Sequence, residues 1–234
     1  MVSIFRILVG VSVIATAALA AAPSAHASVT VVWTPSVGST GNTGATAKGV
    51  FSFSQSSLGV VELDLDVFNT TNGSVGLGAT QATLVGVAFD MPTGTTVKSY
   101  DHKTTSFTKL WTPPHSASLP PYGSFDIGIS PPRNTFAGGN PTTGVTAGNS
   151  MLVSFLLNTQ TSATNLEKAF DQLLDDEKSA VARFQVVNKG GSDKVLGAEM
   201  AEPVPELSTW AMMIIGFGGV ALRLRRRAAA LQTA

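Results

Sequence analysis

With 234 residues the chain can bury one substantial core, and its formal net charge of zero averages unlike parts. Arg6, Arg223, Arg225, Arg226 and Arg227 lie in the two terminal segments; between Ser28 and Glu202 ten bases meet fourteen acids, so the body carries about −4 and has no electrostatic footprint for nucleic acid. There is no cysteine, which excludes thiol catalysis, disulfide staples and cysteine zinc sites and leaves stability to core packing.

The chain begins MVSIFR, continues as ILVGVSVIATAALAAA and then reads PSAHA. One arginine precedes an apolar run too short and too alanine-rich for a comfortable membrane span. Ala25 and Ala27 supply the small residues at −3 and −1 of an A-x-A cleavage site, so residues 1–27 are predicted to be an export signal with the mature chain starting at Ser28. A buried helix is the poorer account, because Pro23 would break it and the run has no amphipathic period.

Residues 28–187 are predicted to form an antiparallel β-sandwich with one short helix. In GVVELDLDVFN, Val61, Leu63, Leu65 and Val67 alternate with Glu62, Asp64 and Asp66, the period of a half-buried strand. GSFDIGIS sets Phe125, Ile127 and Ile129 on one face, and SMLVSFLLN does the same with Met151, Val153, Phe155 and Leu157. Weaker strand patterns occupy 29–33, 49–54, 83–89, 95–100 and 180–187, separated by turn formers such as Asn72-Gly73 and Pro92-Thr93-Gly94. Thr164-Asn165-Leu166-Glu167 fits a capping box, and Leu166, Phe170, Leu173 and Leu174 follow at helical spacing. Residues 110–121 (LWTPPHSASLPP) are expected to be a proline-rich loop and 188–203 a linker. No internal repeat is present.

Beyond the linker, Leu207 to Leu222 contains no charge and would reach about 24 Å as a helix, slightly short of a hydrocarbon core of about 30 Å. The stems of Arg223, Arg225, Arg226 and Arg227 can make up the difference by reaching from the acyl region to the headgroups. These arginines belong on the cytoplasmic side, whereas the signal exports the N-terminus; together they predict a body outside and a single transmembrane helix over 207–222 acting as a stop-transfer anchor. WAMMIIGFGGVAL has no polar face, which argues against a helix packed on the body.

Pro205-Glu206, Trp210-Ala211, the apolar run with Gly216, Gly218 and Gly219, and the terminal arginine cluster resemble the PEP-CTERM sorting signal of Gram-negative bacteria over residues 204–227, leaving 228–234 as a short tail. The closest form is the subgroup with a Trp-Ala-Met-Met core; the same tail is also labelled an ice-binding protein C-terminal motif, although the Thr-x-Thr ladders of a flat ice-binding face are missing here. The resemblance implies export, an inner-membrane-anchored intermediate, cutting near Pro205-Glu206 by an exosortase, and delivery to the cell surface or an exopolysaccharide-rich extracellular matrix. One departure stands at Leu207, where the family usually has proline.

Catalytic and cofactor motifs are not found: there is no G-x-S-x-G, P-loop, H-E-x-x-H or EF-hand pattern, and the sequence calls for no cofactor or metal. GNTGATAKG (41–49) has phosphate-loop composition with the wrong spacing. His102 and His115, with Asp101, lack ligand spacing. Asp64 and Asp66 are most simply the wet face of a sheet edge, with a cation site or glycosidase pair as the sharper alternative. Trp33, Tyr100, Trp111 and Tyr122 are anchors or sugar-stacking platforms, Trp111 and Tyr122 being the better placed for a ligand. The expectation is a non-enzymatic envelope or matrix protein; the alternatives are a secreted carbohydrate-active enzyme using Asp64, Asp66 or Asp126, and a tethered domain that is never processed.

Overall fold

The computed structural model describes residues 27–103, 105–132, 141–176, 178–188 and 190–200. The expected signal up to residue 26, with Ala25, the last three residues of the expected linker and the whole expected sorting tail from Val204 to Arg227 lie outside the described residues. In chain order the elements are β1 (Ala27–Trp33), β2 (Ala47–Ser57), β3 (Val60–Asn69), β4 (Thr83–Phe89), β5 (Thr96–Asp101), β6 (Lys109–Trp111), β7 (Ala117–Ser118), β8 (Ser124–Phe125), β9 (Ile127–Ser130), a 3-10 turn (Pro141–Thr143), β10 (Val145–Thr146), β11 (Ser150–Asn158), α1 (Ala163–Leu174), β12 (Ala180–Val187) and β13 (Gly191–Glu199).

Alternation in the sequence translates directly into faces. Along β3, Val61, Leu63, Leu65 and Val67 are fully buried while Glu62, Asp64 and Asp66 are half-buried on the other side. Its neighbours keep the same phase, with Phe51 opposite Leu65, Phe53 opposite Leu63 and Phe155 opposite Leu63. The antiparallel sheet runs β5-β11-β3-β2-β1-β13-β12-β4-β9-β6, with β10 paired on β4 and a separate β7-β8 ribbon.

The sheet doubles back on itself through β13. The end of that strand, Gly197 to Glu199, pairs with β1, whereas Gly191 to Leu196 pairs with β12. The two arms then meet across one core: Phe51 of β2 and Phe155 of β11 stand edge-on to Phe89 of β4 at 5.1 and 6.1 Å. Phe170 of α1 enters the same cluster, 4.9 Å from Phe51. Trp33 is fully buried beside it, its ring filling space that glycines leave on the neighbouring strands; a Cβ on Gly49 or on Gly197 would come within 2.7 Å of that ring.

A second, smaller cluster covers the outer face of the β4, β12 and β13 arm. Ala88, Val181 and Leu196 point outward there, and Ala117, Leu119 and Phe125 cover them, with Trp111 and Tyr122 packed at the margin. β4 is consequently buried at every position, on both faces.

Five expectations are corrected by this arrangement. The expected linker at 188–203 contains β13, a central strand, so the folded body extends past residue 187 to Met200, whose amide donates to the Thr30 carbonyl at 2.8 Å. Residues 110–121 are not a bare loop; the end of β6 and all of β7 lie there, with Ala117 and Leu119 fully buried. Phe125 does not share a face with Ile127 and Ile129, because the strand breaks at Asp126 and Phe125 joins the outer cluster. The helix is capped by Ser162, whose Oγ accepts from the Asn165 amide at 3.3 Å, two residues before the expected Thr164. Asp64 and Asp66 lie on a strand flanked on both sides by β2 and β11, not on a sheet edge.

Candidate functional site

Antiparallel order gathers the β2–β3 turn, the segments after β4 and β11, the start of β5 and the end of β6 at one end of the sheet. A cleft of about 390 Å³ opens there, lined by Met91 to Val97, Thr112, Pro113, Asp126 and Ile127. A second hollow of about 450 Å³ adjoins it, sharing Pro92 to Thr95 and adding Thr159, Gln160, Thr161 and Asn165. Apart from Asp126, only uncharged residues line both, with hydroxyl, amide and apolar side chains.

Asp126 belongs to a reciprocal clamp. Its Oδ2 accepts from the Met91 amide at 3.1 Å, while Asp90 Oδ1 accepts from the Asp126 amide at 3.2 Å. Burial is the main cause that pushes Asp90 up to about 6; the Asp126 amide opposes it, and the charges of Asp126 and Asp176 add to it. Two carboxyl groups thus tie the end of β4 to the β8–β9 junction at the cleft wall. A carboxyl titrating near 6 is chemically suited to proton transfer, and the same bonds suffice for a loop clamp.

The other candidates distribute differently. Asp64 accepts from Ser154 Oγ at 2.5 Å across to β11, and burial raises Asp66; both face outward from the sheet, away from the cleft. Trp111 packs at the margin of the outer cluster, donates from Nε1 to Ser130 Oγ at 3.3 Å, and has Lys109 Nζ 4.7 Å from its ring centroid. Tyr122 packs on the same cluster. Tyr100 stacks on Phe155 at 5.0 Å and donates to the Phe107 carbonyl at 2.5 Å, and burial holds its hydroxyl far above the usual phenol range. Trp33 is a core residue. These four aromatics act as packing anchors.

His102 leans on the Tyr100 ring and His115 is exposed; Asp101 pairs with Lys103 at 3.1 Å on the surface. Among the described residues no group of three or more His, Asp or Glu side chains is placed to hold a metal ion. Among them, too, no helix is long and apolar enough to cross a membrane. Ala27 opens β1 opposite Phe53, and Ser28 follows it half-buried opposite Ser52. Pro205, Glu206, Trp210, Ala211, Gly216, Gly218, Gly219, Arg223, Arg225, Arg226 and Arg227 lie outside the described residues.

Two carboxylates escaped the sequence reading, Asp90 and Asp193. Asp193 is 1% exposed and explains the loop of phosphate-loop composition. It accepts from Ser39 Oγ (2.7 Å), Thr40 Oγ1 (3.0 Å), the Gly41 amide (2.9 Å), and the Thr43 amide and hydroxyl (3.0 and 2.7 Å). Burial alone would raise its pKa, yet the bonds from Thr43, Ser39 and Gly41 together hold it below the ordinary aspartate value. The anion that this loop cradles is the protein's own side chain. The available signal was a run of unpartnered small donors, Ser39 to Thr43, awaiting an acceptor from elsewhere in the chain.

No protein-family model matches the chain, and no curated protein shows significant similarity to it.

Proposed function

We propose that the protein is an exported envelope or matrix component whose body, a β-sandwich formed by the doubled sheet, is delivered by a cleavable signal and a C-terminal sorting tail. One observation supports this best. Among the described residues the elements run from β1, which opens at Ala27, the last residue of the A-x-A site, to Met200, whose amide still pairs with Thr30 four residues before Val204. The tail then spans the inner membrane with Arg223, Arg225, Arg226 and Arg227 inside, and an exosortase cuts near Pro205-Glu206. The body acts without catalysis, as a structural, adhesive or polysaccharide-contacting module, and uses no cofactor.

A carbohydrate-active enzyme is the second reading, favoured by Asp126 on the cleft wall beside an Asp90 held at about 6. Against it, Asp64 and Asp66 face away from the cleft, and both Asp90 and Asp126 are engaged in clamping backbone.

Fractionation of one host with exosortase and one without, followed by mass measurement of the protein's C-terminus, tests the sorting role. The expected result is loss of the tail only where exosortase is present, blocked by Pro205→Ala with Glu206→Ala. An intact C-terminus in both hosts would leave a permanently tethered domain, with Leu207 as the first residue to restore to proline.

A further inference from the structure

We propose that, while the tail anchors the protein, a short tether holds the tip of the β2–β3 hairpin, with Leu58, in the headgroup layer of the same bilayer. The proposal rests on the anchoring role given to the tail above. Leu58 is 101% exposed, its whole side chain in solvent. No charged residue occurs from Gln55 to Val61, nor in the adjoining segment from Thr159 to Leu166. The two segments are joined by the Thr159 amide donating to the Gly59 carbonyl and the Ala163 amide donating to Gln55 Oε1, each at 3.1 Å. The tip therefore meets lipid without desolvating an ion.

Geometry supplies the force. Met200 donates to the carbonyl of Thr30, which lies opposite Val50 of β2. β13 and β2 both run antiparallel to β1, so they point to the same end of the sheet. From Val50, β2 and its turn continue eight residue steps to Leu58, roughly 26 Å at strand rise. From Met200 the chain has seven steps before Leu207 starts the apolar run, at most about 25 Å. The tether cannot carry the start of that run clear of the hairpin tip; counting on to Trp210 adds about 10 Å that only a fully stretched chain would use. One leucine binds a free vesicle weakly, but a tethered tip faces the bilayer at high effective concentration.

The chain has no cysteine, so Leu58→Cys and Leu77→Cys each accept one environment-sensitive fluorophore. Leu77 is 74% exposed in the β3–β4 connection at the opposite end of the sheet and reports on water. Protein with each label, running from Ser28 through the whole tail to Ala234, is reconstituted into phosphatidylcholine vesicles, floated, and read with and without a nitroxide quencher carried on the lipid. The expected result is several-fold higher emission and strong quenching at position 58, with neither at 77. Inserting about twelve Gly/Ser residues between Ala201 and Glu202 should return position 58 to its aqueous value while the protein still floats. A floating protein with position 58 as wet as 77 would overturn the proposal. So would quenching that survives the longer tether, because the hairpin would then not need to be held there. Failure to float would instead remove the anchoring role of the tail, and the proposal with it.

Discussion

Replacing Asp193 with asparagine separates a folded strand from a linker at this point in the chain. The carboxylate is buried and takes five donor groups from residues 39 to 43. Asparagine keeps the shape but turns an amide N–H₂ toward groups that are themselves donors, and it removes the charge the remaining bonds use. A hydrogen bond to a charged group contributes about 1.5–3 kcal/mol, and the set acts as one network, so the values do not add. The expected loss is about 3–5 kcal/mol, a large part of a domain stability of about 5–15 kcal/mol. Urea denaturation of the mature protein measures it, with Thr43→Val, which removes one hydroxyl of the five donors, expected to lose about 1 kcal/mol. Because the folded pKa of Asp193 lies below its unfolded value, this stability is present above about pH 4 and is lost as pH falls through the folded value. A loss under 1 kcal/mol at pH 7, with an unchanged denaturant slope, would refute the network and make residues 188–203 the linker their composition suggests.

Gly49→Ala puts a Cβ 2.7 Å from the rigid Trp33 ring and should destabilise by about 1–3 kcal/mol; a double-mutant cycle with Trp33→Leu should recover much of that, and strict additivity would disprove the contact. Asp90 is ionised at pH 7 only against a pKa raised to about 6, so Asp90→Asn, which keeps an acceptor for the Asp126 amide, should stabilise the protein there. The raised value corresponds to at most about 3 kcal/mol, and screening of this half-exposed side chain leaves about 1 kcal/mol. Wild type should gain on the variant as pH falls from about 6 to 4; thermal melts across that range check the sign, and parallel curves would contradict it. Ser162→Ala should cost about 1 kcal/mol and Thr164→Ala a few tenths, and the reverse order would move the helix cap back to Thr164.

What could be read from the sequence follows burial. In β3 and β11 one face is buried and one is half-open, so alternation wrote the faces of Val61 to Val67 and Met151 to Leu157 into the chain. β4 is covered on both faces, so it reads as an apolar run, and nothing local announces that residues 117 to 125 lie over it. β13 is hidden for the opposite reason. Gly191, Ser192, Asp193, Lys194 and Gly197 look like a linker, yet the strand is held by ladders on both sides, Asp193 by a loop some 150 residues earlier, and Gly197 by the bulk of Trp33. The cleft was illegible in the same way, since its walls are contributed by segments around residues 91, 112 and 126 that share no local pattern.

The hidden strand also bears on the proposed sorting tail. β13 is the last strand among the described residues, and it lies in the middle of the sheet, where it joins β1 to β12. A tail rooted in an edge strand would leave a frayed edge when pulled or cut. Among the described residues the chain is still paired at Met200, five residues short of Pro205. If the chain is cut near Pro205-Glu206 as proposed, the cut falls beyond every described strand and leaves β13 paired between β1 and β12.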